Sequence, residues 1–171
     1  KENEDALVKI FVDVGRSGQY VFGENVYNFE SEFAAYCGSS HAISCGNASD
    51  GLEIGLRALG VGVGDEVITA ANSFISSGGS IAAVGAIPVF ADVANDMNID
   101  PKSVENCLTK RTKAIMPVHL TGRPAPMDEI IKIARKNKLK VIEDASQAIG
   151  ARYRGKRVGP IGDLGVFSLH P

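Results

Sequence analysis

The chain has 171 residues, of which 44% are hydrophobic and 22% are charged, and its formal net charge is -2. This composition is typical of a globular protein and unlike that of a disordered chain. A protein that binds nucleic acid by neutralising phosphates normally carries a basic surplus, so the charge argues against that class. The three cysteines have no paired spacing, which argues against a disulfide framework and a Cys-rich zinc site. A reducing, cytoplasmic location is the simplest interpretation.

The sequence predicts neither a secretory signal nor a membrane span. The first residues, KENEDALVK, are charged and contain no apolar core segment. The longest apolar-leaning run, Ile81 to Ala91, contains Pro88 and is shorter than the roughly 20 residues that a transmembrane helix needs. The chain starts at Lys1 rather than Met and stops at Pro171 directly after an apolar stretch. We therefore expect a piece of a longer protein.

Short apolar runs alternate with amphipathic stretches along the chain. A first helix is predicted over Glu24–Tyr36. The predicted strands are His41–Cys45, Glu66–Thr69, Pro88–Asp92, Ala114–Val118, Lys140–Glu143 and Gly165–Leu169. The predicted helices between them are Asp50–Leu59, Ser76–Val84, Pro101–Leu108 and Asp128–Lys138. This alternation predicts an α/β fold, a three-layer sandwich whose mostly parallel sheet carries helices on both faces.

In open α/β sheets, ligands bind beyond the carboxyl ends of the strands. Small residues, one aromatic ring, one histidine, one carboxylate and several hydroxyl and amide groups follow the predicted strands. They lie in Gly46-Asn47-Ala48-Ser49, Asn72-Ser73-Phe74, His119, Asp144-Ala145-Ser146-Gln147 and Ser168 to His170. We expect these groups to share one edge of the sheet.

The segment GNASDG (46–51) leads into a predicted helix, and free N–H groups at a helix start bind phosphate. Asn47 followed by Asp50 is typical of an ordinary helix cap, and on these residues alone the cap is favoured over a phosphate site. The glycine-rich segment GVGVGDE (60–66) follows a predicted helix and precedes a strand. A dinucleotide-binding loop has the opposite context, so this segment is predicted to be a turn.

Asp144 ends the apolar strand KVIED and is expected to be at least partly buried. Because a buried charge needs a partner, it could pair with a protonated ring nitrogen of a cofactor, or it could cap the next turn. Phe74 could stack on a flat cofactor or fill the core. His119 and His170 have no Cys or carboxylate at metal-ligand spacing, so no metal site is expected. The absence of a G-x-S-x-G elbow argues against a serine hydrolase.

The order of several motifs is more specific than any one of them. SGQYVFGENVYNFESEFAAYCG (17–38), EDASQA (143–148) and GDLGVFSLHP (162–171) resemble the DegT/DnrJ/EryC1/StrS sugar aminotransferase family. The resemblance covers nearly the whole chain. It implies the large domain of the aspartate aminotransferase fold (type I), incomplete here, with pyridoxal 5'-phosphate (PLP) as cofactor. It implies an N-terminal segment and helix over 1–38, a truncated PLP-binding domain over 39–171, and an absent C-terminal small domain.

The resemblance assigns cofactor roles to individual residues. Ala48 and Ser49 match the phosphate-binding pair, and Ser168 matches a second phosphate ligand. Phe74 matches the aromatic ring that stacks on the pyridine, and Asp144 matches the partner of the pyridine nitrogen. Gln147 matches the group near the 3-hydroxyl of the cofactor. Tyr20 lies in a stretch that resembles a substrate-side loop, although a tyrosine packed on a sheet edge is an equally good interpretation.

One family residue has no counterpart in the chain. The Schiff-base lysine normally follows the Phe-Ser pair by a few residues, which places it just after Pro171. The chain alone is therefore expected to be inactive. For the intact protein, the resemblance implies amino transfer from glutamate or glutamine to a nucleotide-linked keto sugar, as in amino sugar biosynthesis for cell-surface polysaccharide. It also implies a homodimer with shared active sites, and no nucleic-acid or membrane partner.

Two other functions remain open at this point. A related PLP-dependent sugar dehydratase would carry histidine in place of the lysine and would remove a hydroxyl group. A non-catalytic, sensor-like or incomplete domain would carry neither residue.

Overall fold

The computed structural model describes residues 3–170, and the chain forms two compact units, Lys1–Ser44 and Cys45–Pro171. The first unit contains helices α1 (Glu4–Ser17) and α2 (Glu24–Cys37). The helix α2 confirms the predicted first helix, whereas α1 was not predicted because its charged start masks an amphipathic pattern. α2 ends at Gly38, whose positive φ of 77° lets its N–H bond the carbonyls of Ala34 and Ala35.

The second unit contains a five-stranded sheet with the order β2-β1-β3-β4-β7, and all four neighbouring pairs are parallel. A short antiparallel hairpin, β5–β6, lies between β4 and β7 in the chain. The strands are β1 (Glu66–Ala70), β2 (Ile87–Ala91), β3 (Thr112–Met116), β4 (Lys140–Asp144), β5 (Arg152–Tyr153), β6 (Lys156–Arg157) and β7 (Leu164–Val166). The helices are α3 (Ala48–Ala58), α4 (Ile75–Ala83), α5 (Pro101–Asn106) and α6 (Met127–Asn137), with a 3-10 turn at Leu120–Gly122.

Alternate strand residues divide between two hydrophobic cores, which produces the predicted three layers. Val67 and Ala114 pack with α3 and α4 residues such as Leu56 in one core. Their chain neighbours Ile68 and Ile115 pack in a second core with residues of α5 and α6. Because successive strand side chains point to opposite faces, the near-continuous apolar runs of a parallel sheet fill both cores. The predicted α/β fold with a parallel sheet is thus confirmed.

The predicted strand His41–Cys45 is wrong. The segment has no regular secondary structure, and among residues 3–170 no strand forms a ladder with it. A strand is stabilised by its backbone partner as well as by its apolar pattern, and here Ile43 is 86% exposed. The predicted strand over Gly165–Leu169 is also too long, since β7 ends at Val166.

Two local predictions are confirmed, namely the start of a helix at Pro101 and the turn in the glycine-rich segment 60–66. Pro101 occupies the first turn of α5, where its missing N–H costs nothing, and Asp100 caps the helix by accepting from the N–H of Lys102. The glycine-rich segment before β1 is a turn, in which Gly60 and Gly64 have φ values of 78° and 86°.

Candidate functional site

The ends of β3 and β4 meet at one edge of the sheet, beyond which the candidate site begins. The backbone N–H of Asp144 donates to the carbonyl of Pro117 (2.9 Å), and the N–H of His119 donates to the carbonyl of Asp144 (3.0 Å). These two bonds extend the ladder past the end of β3. The backbone that carries Asp144 is therefore part of the rigid sheet and not of a loop.

The Asp144 side chain is 5% exposed and has two hydrogen-bond donors. Its Oδ2 accepts from the Ser77 hydroxyl (2.8 Å), and its Oδ1 accepts from the backbone N–H of Ser146 (3.2 Å). Within residues 3–170, no salt bridge joins it to a basic side chain. A carboxylate offers about four lone-pair sites, so this buried anion retains the capacity to accept a further, charged donor. The expected burial and the turn-capping bond are both present.

A pair of serine hydroxyls joins the first turns of α3 and α4. The Ser49 hydroxyl lies 2.8 Å from that of Ser76, and Ser76 is the chain neighbour of Ser77. The first turn of α4 thus brings the Ser49 hydroxyl and the Asp144 carboxylate to one part of the sheet edge. Sequence analysis did not single out Ser76 or Ser77, because their partners are 27 and 67 residues away along the chain.

The α3 start contains the helix cap that the sequence favoured. Asn47 accepts from the N–H of Asp50 through its side chain (3.0 Å), and its amide donates to the Asp50 carboxylate (2.9 Å). This bond fixes the position of the Asp50 carboxylate beside Asn47. Ala48 is half-buried and Ser49 is exposed in the first turn. The Asn47 side chain caps the N–H of Asp50 and does not take the N–H groups of Ala48 and Ser49, the first two residues of the helix.

The remaining predicted residues differ in how firmly they are held. Phe74 is the residue before α4 and is 66% exposed, so its ring is not part of the core. The Gln147 carbonyl oxygen accepts from the backbone N–H of Thr121 (2.8 Å), which fixes the amide. The Ser168 hydroxyl, after β7, accepts from the N–H of His170 (3.2 Å). Tyr20 belongs to the first unit, is 73% exposed, and donates to the Gly15 carbonyl (3.1 Å).

A fully buried carboxylate next to Asp144 was missed by the sequence analysis. Glu143 accepts from His119 Nε2 (2.9 Å) and from the backbone N–H groups of Gly159 (2.8 Å), Ile161 (2.7 Å) and Gly162 (2.6 Å). Three of these four donors are backbone groups, which have no side-chain signature in a sequence. The only available signal was a histidine after one strand and an acidic pair at the end of the next.

The hydrogen bonds of His119 identify which of its ring nitrogens carries the proton. Nδ1 accepts from the backbone N–H of Ala125 (3.0 Å), so this nitrogen has a free lone pair. Nε2 then carries the ring hydrogen and donates a hydrogen bond to the Glu143 carboxylate. His119 therefore links the segment after β3 to the end of β4. No cluster of three or more metal-ligating side chains exists among the residues that the structure describes.

The donors and acceptors at the sheet edge fit PLP. Asp144 is a buried acceptor with unused capacity, as a protonated pyridine nitrogen requires. Phe74 presents an exposed ring, and the hydroxyls of Ser49 and Ser76 lie at the starts of two helices, where anions bind favourably.

The described part of the chain contains no helix that is both long and apolar enough to cross a membrane.

The chain is similar to curated proteins along nearly its whole length. The chain is 48% identical over 166 residues to a pleiotropic regulatory protein of Geobacillus stearothermophilus, covering 96% of this chain and 45% of that protein. It is 44% identical over 168 residues to dTDP-3-amino-3,4,6-trideoxy-α-D-glucose transaminase of Streptomyces venezuelae, covering 98% of this chain and 44% of that enzyme. It therefore spans less than half the length of either relative.

A solved structure of NtdA from Bacillus subtilis with bound cofactor PMP superposes with a TM-score of 0.88 at 36% identity, covering 93% of this chain and 37% of that one. Its bound PMP, the amino form of PLP, agrees with the cofactor that the edge residues fit. The family model of the DegT/DnrJ/EryC1/StrS aminotransferases matches residues 1–171. The chain thus belongs to the DegT/DnrJ/EryC1/StrS aminotransferase family, as its motifs predicted.

Proposed function

We propose that the full-length protein is a PLP-dependent aminotransferase that acts on a nucleotide-linked keto sugar, with glutamate or glutamine as amino donor. The observation that carries the proposal is the Asp144 carboxylate, which is 5% exposed, held by two donors, and without a basic partner among residues 3–170. A buried anion with unused acceptor capacity is costly unless a cation completes it. The transaminase from Streptomyces venezuelae indicates the substrate class.

Each predicted residue has a defined task in this proposal. Asp144 holds a proton on the pyridine nitrogen, and Phe74 covers one face of the ring. Gln147, whose carbonyl oxygen is already held by Thr121, offers its amide N–H groups toward the 3-hydroxyl. Ala48, Ser49 and Ser168 bind the phosphate. When bound, PLP supplies an electron sink for the carbanion at the carbon that gains or loses nitrogen.

The reaction needs no external oxidant or reductant. The α-amino group of the donor is exchanged for the ketone oxygen of the sugar, so the donor leaves as a 2-oxo acid and the sugar leaves as an amine. A lysine located shortly after Pro171 would form the covalent link to PLP and move the proton between the two carbon centres.

The proposal extends to the architecture of the full-length protein. We propose an N-terminal segment over 1–38, a PLP-binding domain that begins at 39 and a small C-terminal domain. We also propose a cytoplasmic homodimer in which each active site takes residues from both subunits, with Tyr20 on the substrate side. Size-exclusion chromatography with light scattering tests the dimer.

The proposal is tested with the full-length protein and its Asp144→Ala variant. We expect the wild-type protein to bind PLP, to form a 2-oxo acid from glutamate or glutamine, and to convert a nucleotide-linked keto sugar into an amine detected by mass spectrometry. We expect Asp144→Ala to lower kcat/KM by about 10²-fold or more, because a preorganised charge opposite the ring nitrogen is lost. Borohydride reduction followed by peptide mapping locates the lysine.

Three results would contradict the proposal. Loss of a sugar hydroxyl without amine formation, with histidine at the lysine position, indicates a dehydratase. A protein that does not bind PLP indicates a sensor-like domain. An Asp144→Ala variant with wild-type kcat/KM would show that the reaction does not need the Asp144 carboxylate, on which the proposal rests.

A further inference from the structure

The hydroxyl of Ser77 is directed at the one carboxylate on which the proposed function depends. Ser77 is the third residue of α4, and its side chain is fully buried. Its Oγ lies 2.8 Å from Asp144 Oδ2, on an element that is 67 residues away along the chain. Because an ionised carboxylate has no proton to give, the hydroxyl is the donor in this bond.

A second serine of the same helix shows that this orientation is not the default one. A serine within a helix commonly bonds a carbonyl of the preceding turn. Ser80 does so, donating to the carbonyl of Ser77 (3.3 Å), although it too is buried. The Ser77 hydroxyl instead leaves its own helix and reaches the end of β4.

The two donors to Asp144 come from separate elements and hold separate oxygens. Ser77 in α4 holds Oδ2, and the N–H of Ser146 in the segment after β4 holds Oδ1. Two bonds to two oxygens fix the rotation of a carboxylate, whereas one bond leaves it free to turn about its side-chain axis. If Ser77 is removed, only the longer bond of 3.2 Å remains.

We propose that Ser77 is a positioning residue, whose hydroxyl fixes the plane of the Asp144 carboxylate so that its free lone pairs meet the ring nitrogen of PLP. This inference rests on the proposed function. Ser77 does not contact the reacting atoms in this role; it acts through Asp144. Its contribution should therefore disappear when the carboxylate is replaced.

The test measures the affinity of the full-length apoprotein for PLP and the visible circular dichroism of the bound cofactor, which reports the orientation of the ring. We expect Ser77→Ala to weaken PLP binding by about tenfold, the equivalent of one hydrogen bond to a charged group. We expect Ser77→Thr, which keeps the hydroxyl, to remain within about threefold of wild type. Ser80→Ala is the matched control, because it removes a buried hydroxyl from the same helix without touching Asp144, and it should leave both readouts unchanged.

A double-mutant cycle with Asp144→Asn separates positioning from direct binding. We expect Ser77→Ala to have little further effect on PLP affinity in the Asp144→Asn background, because coupled residues are not additive. A tenfold effect that persists in that background overturns the inference. If Ser77→Ala does not fold, Ser77→Cys serves instead, since a thiol of similar size is a weak donor and should also weaken PLP binding.

The failures of the two proposals can be told apart. If the wild-type protein does not bind PLP, both proposals are wrong. If Asp144→Asn loses affinity while Ser77→Ala and Ser77→Cys match Ser80→Ala in affinity and circular dichroism, only the role of Ser77 is wrong.

Discussion

Glu143 and Asp144 are neighbours at the end of β4, and both carboxylates are buried, yet their surroundings differ. Glu143 accepts four N–H donors, three of them from the backbone of residues 159–162. Asp144 accepts two donors, from Ser77 and from the N–H of Ser146. The chain itself satisfies Glu143, whereas Asp144 retains acceptor capacity.

This difference separates a structural carboxylate from one that can bind a ligand. Because consecutive strand residues face opposite sides of a sheet, one acidic pair serves both purposes. Glu143 fastens the segment before β7 and the segment after β3 to β4, and so supports the backbone from which Asp144 projects. Burial alone does not distinguish the two carboxylates, whereas the number of donors that the chain supplies to each one does.

The largest expected effect is the loss of Glu143. Glu143→Ala leaves three backbone N–H groups and His119 Nε2 buried without an acceptor. Breaking a buried charged network of this kind costs roughly 3–5 kcal/mol. Urea unfolding of the full-length apoprotein measures the change.

Asp144→Ala should cost clearly less, and Glu105→Ala, an exposed position on α5, should stay within about 0.5 kcal/mol of wild type. Equal losses of unfolding free energy in Glu143→Ala and Asp144→Ala would contradict the inference that the chain relies on Glu143 more than on Asp144.

The segment that Glu143 holds can also be disrupted sterically. A Cβ on Gly165 in β7 would overlap the backbone oxygen and Cα of Gly159, which cannot move aside as a flexible side chain can. We expect Gly165→Ala to cost about 1–3 kcal/mol or more in urea unfolding. Gly79→Ala is the control, because the space around Gly79 in α4 is open and alanine favours the helix by about 0.5–1 kcal/mol. A Gly165→Ala protein as stable as Gly79→Ala would show that this segment is not packed against β7.

The sequence predicted most of the fold, but of the two buried carboxylates at the end of β4 it predicted a role only for Asp144. The central strands β1, β3 and β4 follow from apolar runs, because both of their faces are mostly buried, whereas the edge strand β2 is largely exposed or half-buried. His41–Cys45 has a similar pattern but no ladder partner within residues 3–170, and the pattern alone does not reveal this. Asp144 was predicted as a cofactor-binding residue from its motif and from its position at the end of a strand. The contacts of Glu143 could not be predicted, because three of its donors are backbone groups. The contact of Ser77 could not be predicted either, because its partner is 67 residues away along the chain.

A smaller effect is expected at the start of α3, on the edge that also carries Asp144. Asn47 accepts from the N–H of Asp50, and loss of such a cap costs about 1 kcal/mol. We expect Asn47→Ala to show this loss in urea unfolding of the apoprotein. Asn47→Ser, which keeps a capping oxygen, should recover all but a few tenths of a kcal/mol. A loss shared by both variants would mean that the amide contact with the Asp50 carboxylate (2.9 Å), and not the cap, is the stabilising one.

The smallest effect concerns a third buried carboxylate, Glu66, at the opposite edge of the sheet. Like Glu143 it is satisfied by the chain: its hydrogen bond with Thr109, and then that with Arg111 (Nε–Oε1 2.9 Å), hold its pKa below the usual value of 4.5. Since the folded state binds this proton more weakly than the unfolded state, Glu66 stabilises the fold above pH 4.5, and this contribution disappears as pH falls through its lowered pKa.

The stability difference between wild type and Glu66→Gln tests this sign. We expect wild type to be more stable by about 1 kcal/mol at pH 7 and the difference to shrink steadily below pH 4.5. Glu53→Gln is the control, because the Glu53–Arg57 pair is exposed and such pairs contribute little. A difference that grows on acidification would mean that the unfolded chain, and not the folded one, stabilises the charge of Glu66. It would then be wrong to group Glu66 with Glu143 as a carboxylate that the fold itself satisfies.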